Sequence, residues 1–199
     1  MTSGAARLTL ASASAIRAAI LANAGVAFDV VRPDVDEDAI KKAARAEGLT
    51  LPETAQHLAD AKALAVRAAG PVLGADQILS FEGQGYDKPR TREEARARLA
   101  LLQGRPHTLI NALTIAREGR VVFRHLEEPR LFMRALSPAE IDAYLDAAGP
   151  DILASVGAYQ VEALGARLFE RIEGDYFAVL GLSLHPVLGY LRRAGLLAF

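Results

Sequence analysis

Short apolar runs and amphipathic helical patterns alternate along nearly the whole chain, and that alternation leaves an α/β fold as the natural reading. Arg7 to Ala11 is a short buried strand, followed by the small-residue turn Ser12-Ala13-Ser14 and a helix from about Ala15 to Ala24. Gly25 stands where a C-cap glycine belongs. Phe28 to Arg32 forms a second strand closed by Pro33, then an acidic stretch, Asp34 to Asp38, opens two helical patterns at Asp38–Glu47 and Pro52–Ala69. Pro71 to Ala75 is apolar and extended, and Gln77 to Phe81 continues it beyond a polar interruption at Asp76.

The second half keeps the alternation. Thr91 and Glu94 are expected to make a capping box ahead of a stripe at Ala95, Leu99 and Leu102, and Gly104 ends that helix. Thr108–Ala116 and Val121–Arg124 flank Glu118-Gly119, a hairpin signal, and Leu131–Ala135 is a further strand. A hairpin and short spacings predict a mixed sheet, because antiparallel neighbours need no crossover. Ser137, Pro138 and Glu140 start a helix that runs to about Ala148. Gly149-Pro150 breaks it, a loop-rich segment leads to Tyr176, and a last helix covers about Pro186–Ala194. With no linker or repeat, the whole chain, 1–199, is expected to form one domain.

Composition removes several function classes. The chain has no cysteine, so disulfide frameworks, thiolate catalysis and thiolate metal sites are excluded. A formal net charge of -1 argues against broad electrostatic binding to nucleic acid, which needs a basic face, though local basic patches stay open; no nucleic-acid partner is expected. Met1 to Ala6 is too short and polar for a signal peptide, and no run approaches the ~20 apolar residues of a membrane span. The cytoplasm is the expected location, with no membrane partner.

Several segments carry residues suited to chemistry. Asp76 places a carboxylate between Val72-Leu73-Gly74-Ala75 and Ile78-Leu79, where a charge needs a partner, a metal or a cleft. It is either a general base or metal ligand, or a turn aspartate facing water. Ser12-Ala13-Ser14 with Arg17 can bring backbone N–H groups and a helix N-terminus to a phosphate, although Ser12 also suits an ordinary cap. Lys62 lies near the apolar face of its helix and either snorkels to water or reaches a phosphate. Lys88, in Asp87-Lys88-Pro89, is a phosphate ligand or a plain loop lysine. Glu37, in the acidic stretch, can join Asp76 as an oxygen ligand for Mg²⁺ or Mn²⁺. Gly157-Ala158-Tyr159 with Glu162, then Glu173-Gly174-Asp175-Tyr176, form a loop-rich wall of the kind that carries binding residues. The histidines at 57, 107, 125 and 185 have no metal-ligand spacing.

Taken in order, these pieces resemble the Maf family of nucleoside triphosphate pyrophosphatases. The matching segments are Leu10-Ala11-Ser12-Ala13-Ser14 with Arg17, Pro33-Asp34-Val35-Asp36-Glu37, Ala61-Lys62-Ala63 and Gly74-Ala75-Asp76. They continue through Lys88-Pro89, Gly157-Ala158-Tyr159 and Ile172-Glu173-Gly174-Asp175-Tyr176 to Gly181-Leu182, and so span about Leu8 to Leu196. The resemblance implies a mixed central sheet flanked by helices, two lobes around a cleft, and frequent dimerisation. It implies cleavage of a nucleoside triphosphate between the α and β phosphates with a divalent metal, and a housekeeping role against modified nucleotides. Asp76 falls on the family's proton acceptor, and Ser12, Arg17, Glu37, Lys62 and Lys88 on phosphate- or metal-binding positions.

The chain departs from the family pattern at three places. Ile16 replaces the first arginine of the usual Ser-Pro-Arg-Arg. Gln77 stands where the branch that cleaves dTTP and UTP has threonine, and Glu162 where that branch has glutamine. Gln77 and Glu162 look more like the branch that cleaves 7-methyl-GTP, and Glu162 offers acceptors to the N1–H and N2–H₂ edge of guanine. Ile16 fits neither branch, which leaves the base open. The contrasting reading is a regulator of cell division that binds nucleotide without turnover.

Overall fold

The computed structural model describes residues 7–199; the reading of Met1 to Ala6 lies outside them. The elements run β1 (Leu8–Ala11), α1 (Ala15–Asn23), β2 (Phe28–Val31), α2 (Glu37–Ala46), α3 (Leu51–Leu64), β3 (Val72–Phe81), β4 (Gln84–Tyr86) and α4 (Arg92–Leu102). They continue with β5 (Pro106–Arg117), β6 (Arg120–Glu127), β7 (Arg130–Met133), α5 (Pro138–Ala148), β8 (Phe169–Glu173), α6 (Tyr176–Leu180) and α7 (Leu184–Arg193). Parallel and antiparallel pairs both occur in an eight-stranded sheet, so the expected mixed α/β class is found.

The chain divides into two compact units. The first takes the chain up to Asp76, then Asn111–Glu127 and Gly181–Phe199. Here β1 lies between β2 and β3, parallel to both, and the fully buried Leu10 and Leu73 are register partners. The hairpin of β5 and β6 turns at Glu118-Gly119, both at positive φ, the geometry of a tight two-residue turn. The second unit comprises Gln77–Ile110 and Glu128–Leu180. Its core gathers Leu79, Leu99, Leu102 and Leu109 with Leu131, Ile141, Leu145 and Tyr159. In it β7 pairs antiparallel with both β5 and β8.

Several local outcomes differ from the sequence reading, among them α6, a short helix where no element was read. Helix α3 stops at Leu64 rather than Ala69, because Val66 turns down to pack on Ala11 and Val72. Tertiary burial there overrides the helix propensity of an alanine-rich stretch. Strand β8 lies inside the segment read as loop. Its outward residues are charged, and its pairing with β7 depends on a partner remote in sequence. At α4, Thr91 caps the Glu94 N–H, but the Glu94 carboxylate accepts from the Arg90 N–H, so the reciprocal half of the capping box is missing.

The capping box at α5 is complete. Ser137 accepts from Glu140 N–H, and Glu140 accepts from the Ser137 N–H at 2.8 Å. That backbone bond, with Arg134 and the Ser137 hydroxyl, holds the Glu140 carboxyl down at about 2. A carboxyl lowered in the folded state stabilises above its unfolded pKa and stops doing so as pH falls through the folded value. The cap's contribution is therefore expected to be full above about pH 4.5 and to fade toward pH 2. Ser137→Ala is expected to lower stability at neutral pH by about 1 kcal/mol. In thermal unfolding this reads as a Tm about 2–4 °C lower, a difference that shrinks in acid.

Candidate active site

The first unit collects Ser12, Arg17, Glu37, Lys62 and Asp76. Strand polarity explains why. Strands β1 and β2 are parallel and end side by side at Ala11 and Val31, so the segments following them leave from the same edge. One segment carries Ser12, the other leads to Glu37 in the first turn of α2. Strand β3 pairs with β1 only as far as Gly74, opposite Ala11, and then runs on past the end of β1. Asp76 is thus presented beyond the carboxyl end of a parallel neighbour, where ligands bind in open α/β sheets.

Asp76 lies within a continuous strand and is buried, so the solvent-facing turn is ruled out. Side chains alternate along a strand, so Gly74 and Asp76 share one face of β3. At Gly74 that face meets α3 closely: a Cβ would lie 2.4 Å from the Ala59 carbonyl oxygen and 2.6 Å from the Ala63 backbone nitrogen. Lys62 precedes Ala63 on the same helix and belongs to its buried stripe, with Ala55, Leu58 and Ala59. It does not snorkel: only 7% exposed, it donates from Nζ to Asp76 Oδ1 at 2.6 Å. The same ammonium lies 2.9 Å from Glu37 Oε1. One buried cation therefore holds two carboxylates from different elements.

Arg17 is fixed by other means. Its Nη1 donates to the Ala75 carbonyl at 2.8 Å and to Ser12 Oγ at 3.4 Å, and its Nε donates to the Gly181 carbonyl at 2.8 Å. Burial lowers the guanidinium pKa, and Asp76 and Glu37 raise it in opposition. Among the described residues no carboxylate is within ion-pair distance of Arg17, so its charge is directed without being neutralised. Ser12, also buried, accepts from the Ser14 N–H at 3.1 Å. The Ser14 side chain makes no capping hydrogen bond, so the first N–H groups of α1 have no side-chain cap. An uncapped helix start that carries Arg17 suits a phosphate.

Sequence reasoning missed Asn111. It is fully buried, and its Oδ1 accepts from the backbone N–H and hydroxyl of Ser183 at 3.2 and 2.9 Å. That tether fixes the segment following Gly181, whose carbonyl holds Arg17. A lone amide in the apolar run Leu109-Ile110-Asn111-Ala112-Leu113 was the available signal.

The remaining predicted residues lie elsewhere. Ile16 is half-buried on α1 beside Arg17. Gln77 belongs to the second unit and points to the other face of β3, where Nε2 donates to the carbonyls of Ala178 and Val179 at 2.9 and 3.2 Å. Lys88 is exposed in the loop after β4, and Glu162 is exposed in a turn of the second unit. There the neighbouring Tyr159 hydroxyl lies 2.6 Å from His107 Nε2, and burial lowers the His107 pKa to about 4.

Glu37 and Asp76 are the residues that can hold a metal. Among the described residues no group of three acidic or histidine side chains forms a metal cluster. Two carboxylates meeting at one cation position fit Mg²⁺ or Mn²⁺ all the same, because such ions take one or two carboxylates and complete their shell with water and substrate phosphates. Among the described residues no helix is long and apolar enough to cross a membrane.

Comparison with known proteins shows the family. Residues 7–194 match the family model described as Maf-like protein. The chain is 46% identical over 187 residues to a nucleoside triphosphate pyrophosphatase of Hyphomonas neptunium, covering 93% of this chain and 94% of that protein. It is 47% identical over 195 residues to nucleoside triphosphate pyrophosphatase 1 of Jannaschia sp., covering 96% and 98%. The nucleoside triphosphate pyrophosphatase of Caulobacter vibrioides is 46% identical over 192 residues, covering 96% of each.

Proposed function

The chain belongs to the family of Maf-like proteins, and from that premise we propose that Asp76 and its neighbours carry out cleavage of nucleoside triphosphates to the monophosphate and pyrophosphate. The enzyme is a nucleoside triphosphate pyrophosphatase, a hydrolase acting on acid anhydrides. The observation that carries the site is the convergence of Asp76 and Glu37 on Lys62, next to Arg17, at the carboxyl ends of β1 and β2.

Each group has a distinct part. The Asp76 carboxylate orients a water and takes its proton as the water oxygen bonds to phosphorus. The anhydride P–O bond breaks on the opposite side, and its electron pair leaves with pyrophosphate. Negative charge on the phosphates is offset by Arg17, Lys62 and the open N–H groups of α1. Ser12 and the carbonyls of Ala75 and Gly181 keep Arg17 aimed before substrate arrives. A divalent cation held by Glu37 and Asp76 would supply Lewis-acid neutralisation of the phosphate oxygens. Lys88 joins the phosphate ligands on the likeness of its Lys-Pro motif.

For the base, the proposal is a guanine nucleotide, with 7-methyl-GTP as the modified form and removal of such nucleotides as the housekeeping role. Support comes from Glu162, an exposed carboxylate able to accept from a guanine edge, and from Gln77 in place of threonine. A panel of dTTP, UTP, GTP and 7-methyl-GTP with Mg²⁺ and with Mn²⁺, read by pyrophosphate release, checks this. The guanine nucleotides are expected to exceed the pyrimidines in kcat/KM by about 10²-fold, and Glu162→Ala to erase most of that margin. A pyrimidine preference in the unaltered enzyme would remove Gln77 and Glu162 as specificity residues.

A further inference from the structure

The acidic residues that suit a divalent cation are already bridged by a cation of the chain's own. Lys62 Nζ lies 2.6 Å from Asp76 Oδ1 and 2.9 Å from Glu37 Oε1, one oxygen of each carboxylate suited to the metal. The ammonium is no passing visitor. Lys62 is 7% exposed, and the approach of α3 to β3 at Gly74 fixes where its side chain starts. Asp76 is equally buried, and Glu37 is tied to the start of α2, next to Asp36, which caps that helix through the Ala39 N–H. A divalent ion entering beside the ammonium meets its repulsion at close range, most strongly at the buried Asp76, and less at the half-exposed Glu37.

We propose that Lys62 is a built-in competitor for the metal, holding Glu37 and Asp76 closed to a divalent cation until an anionic ligand draws the ammonium away. The inference rests on the proposed reading of Glu37 and Asp76 as the metal's ligands. Its consequence is an order of assembly. A polyphosphate provides an anionic partner for Lys62 outside the carboxylate pair, so the cation enters with the nucleotide rather than ahead of it. Arg17 reinforces this order. Its guanidinium is held by backbone carbonyls close enough for Asp76 and Glu37 to act on it, so a cation entering alone meets a second fixed positive charge.

The test needs no nucleotide and no turnover. Mn²⁺ alone is titrated into the full chain, with free Mn²⁺ followed by electron paramagnetic resonance, for the unaltered protein, Lys62→Met and Lys62→Gln. Met keeps the length and apolar stem of the lysine, and Gln adds a neutral donor, so the pair guards against one variant failing to fold. Removing the competing charge is expected to tighten Mn²⁺ binding by about tenfold or more in both variants. Adding Glu37→Gln to either is expected to reverse the gain. Equal Mn²⁺ affinity with and without Lys62, still lost in Glu37→Gln, would overturn the competitor role while leaving Glu37 as a ligand. A gain that survives Glu37→Gln, or no Mn²⁺ binding in any form, would overturn both.

Discussion

Asp76→Asn is expected to lower pyrophosphate release from a nucleoside triphosphate by about 10²–10⁴-fold, the range over which a positioned general base contributes. The amide keeps the shape of the carboxylate but takes no proton from water, so the loss should fall on kcat more than on KM. Folding should survive. Lys62 keeps Glu37 at 2.9 Å as a partner, so the substitution does not strand a buried cation. Comparing circular dichroism and thermal unfolding of the variant with the parent separates lost chemistry from lost structure. Full turnover by a folded Asp76→Asn protein would take the residue out of the mechanism.

A second large effect is expected from an uncharged position. Gly74→Val places a branched side chain against the Ala59 carbonyl and the Ala63 nitrogen, backbone atoms that have no rotamer to move away. Helix α3 must shift off β3, and overpacking of that kind costs about 1–3 kcal/mol or more. The shift also pulls Lys62 off Asp76, because the lysine precedes Ala63 on the displaced helix. Gly74→Val is therefore expected to lose activity even under conditions where it remains folded. Gly83→Ala, at a hairpin turn with open space around the missing Cβ, serves as a control for glycine replacement in general. It should cost some stability through its positive φ and leave turnover intact. If Gly74→Val behaved like the control, the close approach of α3 would not be what aims Lys62.

Much of this was legible from residue patterns. The Ser12–Ser14 turn, the Glu118-Gly119 hairpin and the Ser137–Glu140 cap are local signals, and local hydrogen bonds and backbone angles decide them. In the Lys62–Asp76–Glu37 cluster, residue patterns paired Glu37 with Asp76 but left Lys62 separate, joined to them only by the family resemblance. Each has an innocuous reading alone, and their meeting depends on the parallel register of β1 with β2 and β3. Asp76 shows the gap most clearly. In sequence it interrupts an apolar run as a turn residue would, whereas in the fold β3 outruns β1 and carries the carboxylate, unbroken, into the cluster. Carbonyl ligands such as those of Ala75 and Gly181 leave no trace in residue type, so the anchoring of Arg17 was invisible. Asn111 was visible but mute, an amide whose partner lies 72 residues away.

The most direct measurement is the identity of the products. Purified protein is incubated with GTP or 7-methyl-GTP in the presence of Mg²⁺ or Mn²⁺, and nucleotides and phosphates are quantified together. The expected result is nucleoside monophosphate and pyrophosphate in equal amounts, dependent on the added metal and absent with Asp76→Asn. Formation of nucleoside diphosphate and orthophosphate would contradict cleavage at the α–β anhydride. Saturable nucleotide binding without product, with Mg²⁺, Mn²⁺ and Co²⁺ alike across the nucleotide panel, would contradict catalysis and identify the chain as a nucleotide-binding regulator.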